Sequence, residues 1–398
     1  MLPIAEKPDL RSMTPAELSA LVERLGERPF RARQLFRWLH HKGAASLDDM
    51  TDLPGAFRER LAEEARLTTL EIDGVQVSRD GTRKYRLRTA DGMLIESVYM
   101  PDETGPDSFD PEDPAEADTI PSRRVRRTLC VSTQVGCAMG CGFCLTATMG
   151  LKRDLTPGEI ADQVYRVNAD LRALGDATMD PQRPLTNLVY MGMGEPLHNY
   201  ENVKRSLELL LDDQGANFSH RHVTVSTSGL VPNIQRLGEE TQVKLAVSLN
   251  ATTDEDRAKL MPVDRKWNIA ALLDACRTFP MKYGRRITFE YVMLRDVNDT
   301  DGDAHRLAAL LQGIPAKVNL IPYNENPGLG FGDPGTERVQ AFRGILEKHG
   351  LAAMVRKNRG RDISAACGQL AIQGQEPGGA GFARDARSPQ GGAYGRSR

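Results

Sequence analysis

The sequence predicts an α/β fold: a partial (β/α)6 barrel of parallel strands, preceded by a small helical domain and a β-meander. Three observations carry this. From residue 128 to about 350, strand-like runs centred on 129–132, 187–191, 223–226, 245–249, 287–293 and 318–322 alternate with amphipathic helical patterns. That order builds a parallel sheet with helices outside it. Residues 70–100 change to short alternating runs broken by the turn dipeptides Asp80-Gly81 and Asp91-Gly92, the mark of a meander. Residues 13–42 carry the 3.6-residue period of two helices.

The 398 residues suit two or three domains with a large core. The divisions expected are a helical accessory domain over 1–69, a meander over 70–100, an insertion over 101–127, the barrel over 128–373 and a tail over 374–398. Hydrophobic content is 40% and net charge is −2, as in a soluble globular protein, so any nucleic-acid surface must be local. No signal peptide and no run of about 18 apolar residues is present, which predicts a cytoplasmic protein with no membrane contact. A reducing compartment also suits free thiols.

The first helix opens with the capping box Thr14-Pro15-Ala16-Glu17 and continues through Leu18, Leu21, Val22 and Leu25 to Gly26. The second is expected to bury Ala32, Leu35, Phe36 and Leu39. Its other side carries Arg33, Arg37 and His40 or His41. With Arg24, Arg28, Arg31 and Lys42 these form a basic cluster, opposed between 24 and 42 only by Glu27. Phosphate contact and a merely solvated face are equally compatible with it. Trp38 reads as core. On the last meander strand Leu94, Glu96, Val98 and Met100 share a face, and a carboxylate there is either an edge charge or a functional group with a raised pKa. Residues 101–122 hold eight acidic residues, five prolines and no Lys or Arg, a composition that reads as disordered linker. The last 25 residues, rich in Gly, Arg and Ser, read the same way.

In the barrel, Thr156-Pro157-Gly158-Glu159 caps a helix carrying Ile160, Val164, Val167, Leu171 and Leu174. Further helices fit 200–212, 254–261, 268–279, 301–312 and 336–348. In such barrels the chemistry sits at the C-terminal ends of the strands. The loop after the first strand is Cys137-Ala-Met-Gly-Cys141-Gly-Phe-Cys144, with three of the six cysteines of the chain. Glycines at 136, 140 and 142 let the loop wrap a ligand. Three thiolates do not complete a structural zinc site, and no fourth Cys or His follows at zinc-finger spacing. Thiolates also hold iron–sulfur clusters, usually four per cluster. Three would leave one iron of a [4Fe–4S] cluster open for a small molecule.

Small polar groups follow at later strand ends: Gly192-Met193-Gly194-Glu195-Pro196, Ser226-Thr227-Ser228-Gly229, Ser248-Leu249-Asn250 and Pro322-Tyr323-Asn324-Glu325. Each alone fits turn chemistry; together they line one rim, as an adenosine-bearing cofactor needs. Cys367 lies among small residues in Ser364-Ala365-Ala366-Cys367-Gly368 and reads as loop-borne and accessible. It follows the strand-like 351–356 and the basic run Arg356, Lys357, Arg359, Arg361. Cys276 shares a helical face with Ile269, Leu272 and Leu273 and reads as core.

The CxxxCxxC spacing resembles that of the radical S-adenosylmethionine (radical SAM) superfamily. TLCVSTQVGCAMGCGFC, YMGMGEP, STSG, SLNA, IPYN and DISAACGQL, in this order, resemble its adenosine-C2 methyltransferases of ribosomal and transfer RNA, the RlmN group, over roughly residues 10 to 372. The resemblance implies a radical SAM-type barrel. Cys137, Cys141 and Cys144 would ligate the cluster. Gly194, Glu195, Ser226, Ser248, Leu249, Asn250 and Asn324 would bind SAM. Cys367 would carry the methyl group, Cys130 would be the second catalytic thiol and Glu96 the general base. It further implies two SAM molecules per turnover, one methylating Cys367 and one cleaved to a radical that takes hydrogen from the S-methyl group. An RNA–Cys367 adduct, released by Cys130, would follow. The implied partners are 23S rRNA, tRNA and an electron-donating reductase, with the enzyme a monomer. Two rivals stand beside this reading: the sister group that methylates adenine C8, and a non-catalytic metal-stabilised RNA-binding protein.

Overall fold

A computed structural model describes residues 7–101, 126–176, 179–281, 284–326, 328–356 and 359–371. The acidic stretch beyond Pro101, Lys357 and the tail from Gly374 lie outside these residues.

One sheet of ten strands forms the frame, in spatial order β1-β2-β3-β4-β7-β8-β9-β10-β11-β12. Its first three strands, β1 (Glu71–Val77), β2 (Arg83–Arg88) and β3 (Leu94–Met100), are the antiparallel meander. The turn glycines Gly81 and Gly92 both sit at positive φ, where a side chain would be strained. Strand β3 then pairs antiparallel with β4 (Thr128–Cys130), setting Val98 opposite Cys130. Strands β5 (Gln134–Val135) and β6 (Arg153–Asp154) form a separate ribbon that brackets the cysteine loop.

From β4 the pairing is parallel: β7 (Asn187–Tyr190), β8 (Val223–Thr227), β9 (Lys244–Ser248), β10 (Ile287–Met293), β11 (Ala316–Pro322) and β12 (Ala352–Val355) follow in order. The sequence predicts six parallel strands and the sheet holds seven. The extra one is β12, a four-residue edge strand with two alanines, too short and weakly patterned to be counted as a βα unit. Helices Pro157–Ala173, Tyr200–Leu211, Val231–Glu240, Asp254–Leu260, Ile269–Arg277, Asp301–Leu310 and Thr336–Lys348 cross between strands. Of these, Val231–Glu240 was not expected; its buried stripe is only Ile234 and Leu237. Cys276 is buried in the core, as its helical spacing predicts.

The N-terminal region packs its own core from Leu10, Leu18, Leu21, Leu35, Phe36, Leu39, Phe57 and Leu61. Helices Pro15–Arg24 and Phe30–Phe36 match the predicted pair, and the second runs on as a π-turn over Arg37–His41. A third helix, Gly55–Glu64, buries only Phe57 and Leu61, too thin a stripe to stand out in the sequence. Arg33 and Arg37 are exposed, as expected for the outer face. His40 is not on that face: it is buried, with Nδ1 at 2.8 Å from the Tyr165 hydroxyl, so His41 is the histidine near the basic side. Trp38 packs partly on the helical core, while its indole N–H donates to Asp52 and Lys42 lies 3.3 Å from its ring centroid.

Arg11 ties this region to the barrel. Its fully buried guanidinium donates to the carbonyls of Leu39, Ala44 and Thr68 and lies 3.2 Å from the buried carboxylate of Asp162, on helix Pro157–Ala173. Asp162 in turn accepts from the Leu70 amide. Removing Arg11 leaves three buried carbonyls without their donor and the Asp162 carboxylate with Arg166, at 3.3 Å, as its remaining cation. Arg11→Ala should therefore lower the unfolding free energy by about 3–5 kcal/mol in urea titration; a loss below about 1 kcal/mol, the scale of an exposed ion pair, would contradict the clamp.

Candidate active site

The parallel strands deliver their C-terminal ends to one rim, and the cysteine loop rises from the first of them. Gly136 has a positive φ, and a side chain there would collide with the Gly150 carbonyl. The loop is fixed by the Cys137 amide bonded to Gly150 O, Gly142 to Leu260 O, and Cys144 to Cys141 O. The three thiols are half-buried. Burial raises the pKa of Cys137 to about 12 and raises that of Cys141; neighbouring cysteine sulfurs and Glu195 push both the same way. Burial thus disfavours a thiolate at Cys137 and at Cys141, and a bound metal centre would supply the positive charge that ionises them. Among the described residues no three His, Cys, Asp or Glu side chains close around a single metal position. Thiolates of a cluster each take a different iron, so three cysteines spread along one glycine-rich loop fit an iron–sulfur cluster.

The loop after β7 lies against this one. Gly192 and Gly194 are required there: a Cβ on Gly192 would come within 2.7 Å of Val131 O, and one on Gly194 within 2.5 Å of Gln134. Glu195 is buried, its carboxylate accepting from the amides of Ser228 and Leu197. Burial raises its pKa, against those hydrogen bonds. Ser248 is the last residue of β9, and Ser226 is the last but one of β8. Leu249 is bonded to β10 through Glu290 O. Asn250 holds φ 58°, a left-handed conformation that costs energy unless its surroundings impose it. Its side chain accepts from the Val292 amide, and Asn298 donates to its carbonyl. Asn324 is buried at the end of β11 and accepts from Arg361.

Arg257 holds these rim loops together, and nothing in its local sequence signals this. Fully buried, it donates to the carbonyls of Leu249, Ser248 and Ser228 and to Asp264 at 2.9 Å.

Cys367 reaches the same place from the far end of the chain. The Leu145 amide bonds to Gly368 O, the Thr146 hydroxyl bonds to Leu370 O, and Gln369 donates to Asn326. The first two bonds join the Cys367 loop to the segment that follows Cys144, and the third ties it to the loop after β11. Its sulfur shares a pocket with Cys130, Arg356 and Glu290. Cys367 is exposed, as its small-residue loop predicts; the protein packed around its sulfur still raises the thiol pKa by desolvation, and Arg356 opposes this. Cys130 is pushed up to about 12 by burial, and next by Cys367 itself. Arg356 lies 3.6 Å from Glu290. Sequence reasoning missed Glu290, although a lone carboxylate in the apolar strand Ile287–Met293 is the same signal that marks Glu96. Glu96 is buried on β3, on the face of Val98, with Lys84 Nζ at 3.6 Å. Burial pushes its pKa to about 7, against the attraction of Lys84.

A parallel barrel with a three-cysteine loop above its first strand, a glycine-lined carboxylate beside it and a ring of polar strand ends defines a radical SAM enzyme, a class that carries a [4Fe–4S] cluster and SAM. Residues 131–308 match the Radical SAM superfamily, and residues 8–67 match the ribosomal RNA large subunit methyltransferase N-terminal domain. A crystal structure of a radical SAM methyltransferase from Sphaerobacter thermophilus superposes with a TM-score of 0.80 at 45% identity, covering 91% of this chain and 99% of that one. The dual-specificity RNA methyltransferase RlmN of Anaeromyxobacter dehalogenans is 62% identical over 93% of both chains. RlmN 2 of Myxococcus xanthus is 59% identical over 92% of this chain and 91% of its own. The chain belongs to the RlmN family of dual-specificity RNA methyltransferases.

Arg257→Lys keeps the charge but does not reach four acceptors. Leaving even one carbonyl unpaired costs about 1–3 kcal/mol, so SAM affinity should fall roughly 10-fold or more while the iron content of the anaerobically loaded protein stays unchanged. Equal SAM affinity in equilibrium binding would show that the rim does not depend on this arginine.

Proposed function

We propose that this chain methylates carbon 2 of adenosine in 23S rRNA and in tRNA, through a methyl group carried on Cys367. The observation that carries this is the placing of Cys130 and Cys367 in one pocket beside Arg356, with the Cys367 loop bonded to the cysteine loop. Family membership supports the C2 reading over the C8 sister group and over a non-catalytic RNA binder. Among the described residues no helix is long and apolar enough to cross a membrane. A monomer acting in the cytoplasm, supplied with electrons by a reductase, completes the proposal.

Cys137, Cys141 and Cys144 would hold the cluster, and Gly194, Glu195, Ser226, Ser248, Leu249, Asn250 and Asn324 would hold SAM beside it. Bound there, the two supply a carbon radical able to take a hydrogen atom from an S-methyl group. Cys367 is first a nucleophile, and the Arg356 guanidinium favours its thiolate. Its methyl carbon, once activated, bonds to C2 and joins enzyme to RNA through the Cys367 sulfur. One electron must then leave the adduct, toward the site where Cys137, Cys141 and Cys144 would hold the cluster, and Glu96 takes the C2 proton; its raised pKa suits a group that changes protonation near neutrality. Cys130 attacks the Cys367 sulfur and breaks the sulfur–carbon bond; the freed carbon takes a proton, the methylated RNA leaves and the two cysteines are joined as a disulfide. The adenine must be unstacked to enter. The exposed Arg33 and Arg37 face is offered to phosphates of the same RNA.

The two cysteine substitutions should fail differently. Cys367→Ala should accept no methyl and form no adduct. Cys130→Ala should accept the methyl, couple to RNA and stall as a covalent complex that survives denaturing gels and disappears on nuclease digestion. Absence of that complex, in protein shown to carry both the cluster and a methylated Cys367, would overturn the mechanism. Chromatography of digested RNA against both methyladenosine isomers tests the carbon: 8-methyladenosine in place of the 2-isomer would reject the C2 reading.

Glu96 must be ionised to accept the proton. Adduct resolution should therefore rise with pH through about 7 and level off above it. Glu96→Gln should slow resolution by roughly 100-fold or more and abolish that acid limb. An unchanged pH profile in the variant would remove Glu96 from this role.

A further inference from the structure

The Cys367 loop is fastened twice. Its far end is bonded to the segment after Cys144, and its leading half is bonded to the meander. The Gly360 amide donates to Asp80, and the Ser78 hydroxyl and the Arg79 amide donate to Asp362. Lys84 adds a further bond: its ammonium donates to the carbonyl of Ser364, in the same loop as Cys367, at 3.3 Å. Ser364 holds φ 50°, a left-handed conformation that a non-glycine residue keeps only where its surroundings impose it.

The same ammonium lies 3.6 Å from a carboxylate oxygen of Glu96. Strands β2 and β3 set Arg86 directly opposite Glu96 and Lys84 opposite Val98, so the lysine reaches the carboxylate along the diagonal. Arg86 itself is engaged by Asp73. Lys84 and Glu96 are both buried. A lysine is rarely buried without partners, and here they are the proposed proton acceptor and the loop of the proposed methyl carrier. No step of the proposed reaction uses Lys84 directly.

We propose that Lys84 is a positioning residue for the methyl transfer: one ammonium bridges Glu96 and the Ser364 carbonyl, and so fixes the base relative to the sulfur that carries the methyl carbon. The inference rests on the proposed roles of Glu96 and Cys367. In the adduct, C2 of the adenine is bonded to a carbon held by the Cys367 sulfur, and its proton must lie within hydrogen-bond reach of Glu96. Sulfur and carboxylate stand on separate segments, the C-terminal loop and β3, and a misplacement of about 1 Å between them is enough to cost roughly 100-fold. Lys84 acts through its two partners. Its charge also favours the ionised carboxyl. Against Glu96 pack Lys84 and Arg86 from β2, the Ala371 amide from the C-terminal loop, and Ser132 and Met193 from the barrel; of these only Lys84 and Arg86 are charged. Loss of Lys84 would raise the Glu96 pKa further, so the pH at which adduct resolution sets in would move up.

The test uses cluster-loaded full-length enzyme under anaerobic conditions and follows single-turnover resolution of the RNA adduct across pH. Lys84→Met, Lys84→Arg and Glu96→Gln are compared with the parent, each first shown to carry iron and a methylated Cys367. Lys84→Met should resolve the adduct about 10-fold or more slowly on the high-pH plateau, and its acid limb should move up by roughly one pH unit. Lys84→Arg, which keeps a cation, should return the limb to its parent position and recover most of the rate. In a Glu96→Gln background, Lys84→Met should slow resolution little further, because the lysine acts through the carboxylate. Where Lys84→Met loads no cluster, Lys84→Gln takes its place: it keeps a donor for Ser364, drops the charge, and should show the same shift of the limb. A plateau and limb like the parent's in the neutral variants would overturn the proposal. So would a slowed rate with an unmoved limb that Lys84→Arg does not recover, the mark of a merely structural lysine. Resolution at the parent rate in Glu96→Gln alone would overturn the reading of Glu96 as the base, a failure distinct from that of Lys84.

Discussion

Two hydrogen bonds hold the site together: the Leu145 amide to Gly368 O and the Thr146 hydroxyl to Leu370 O, each crossing more than two hundred residues of chain. They fasten the Cys367 loop to the turn that follows Cys144. The cysteine loop is fastened in its own right, by Gly142 to Leu260 O and by the tight approach of Gly136 to Gly150. The proposed methyl carriage on Cys367, with a cluster on the neighbouring loop, would require the two loops to share a fixed geometry. A thiol held one ångström out of place would lose much of its effective concentration toward the reacting carbon. The edge strand β12 lies before the Cys367 loop, and Gly360, at φ 60°, opens the short 3-10 turn that leads into it.

Charge inside the barrel follows from the same arrangement. A neutral, dry lumen would hold both thiols protonated. Arg356 is placed against Cys367, Glu290 and Cys130 together. It therefore lowers the cost of a thiolate on either sulfur, which suits a pair whose members alternate between nucleophile and leaving group. Glu290 balances the guanidinium and keeps the lumen from carrying an unpaired buried charge. Glu96 is treated differently: burial outweighs Lys84, and the carboxyl is left near neutrality, where a proton acceptor is most useful.

Much of this was legible in the sequence because it is written in local patterns. The strand–helix alternation, the capping boxes at Thr14 and Thr156 and the turn dipeptides of the meander act over a few residues, and the structure shows each of them. The cysteine spacing and the small polar groups at strand ends are local as well. What escaped were features whose meaning exists only across the fold. Arg257 sits in an ordinary charged helix, and only the assembled rim reveals four acceptors around it. Arg11 looks like a surface charge until Asp162, far along the chain, meets it. His40 and His41 are neighbours in sequence, and a π-turn decides which of them is buried. The pocket around Cys130 and Cys367 is lined by residues from several strands, so no window of sequence contains it.

The central claim is that the methyl carbon passes through a hydrogen-depleted state on Cys367 before it reaches RNA. Supplying SAM with a fully deuterated methyl group tests this directly, by mass spectrometry of the methyladenosine released after several turnovers. The account predicts a product methyl with one deuterium fewer than the donor, because one is removed before the carbon bonds to the base and a proton replaces it on release. A product methyl that keeps every deuterium would mean direct displacement from SAM to RNA, and would contradict the account.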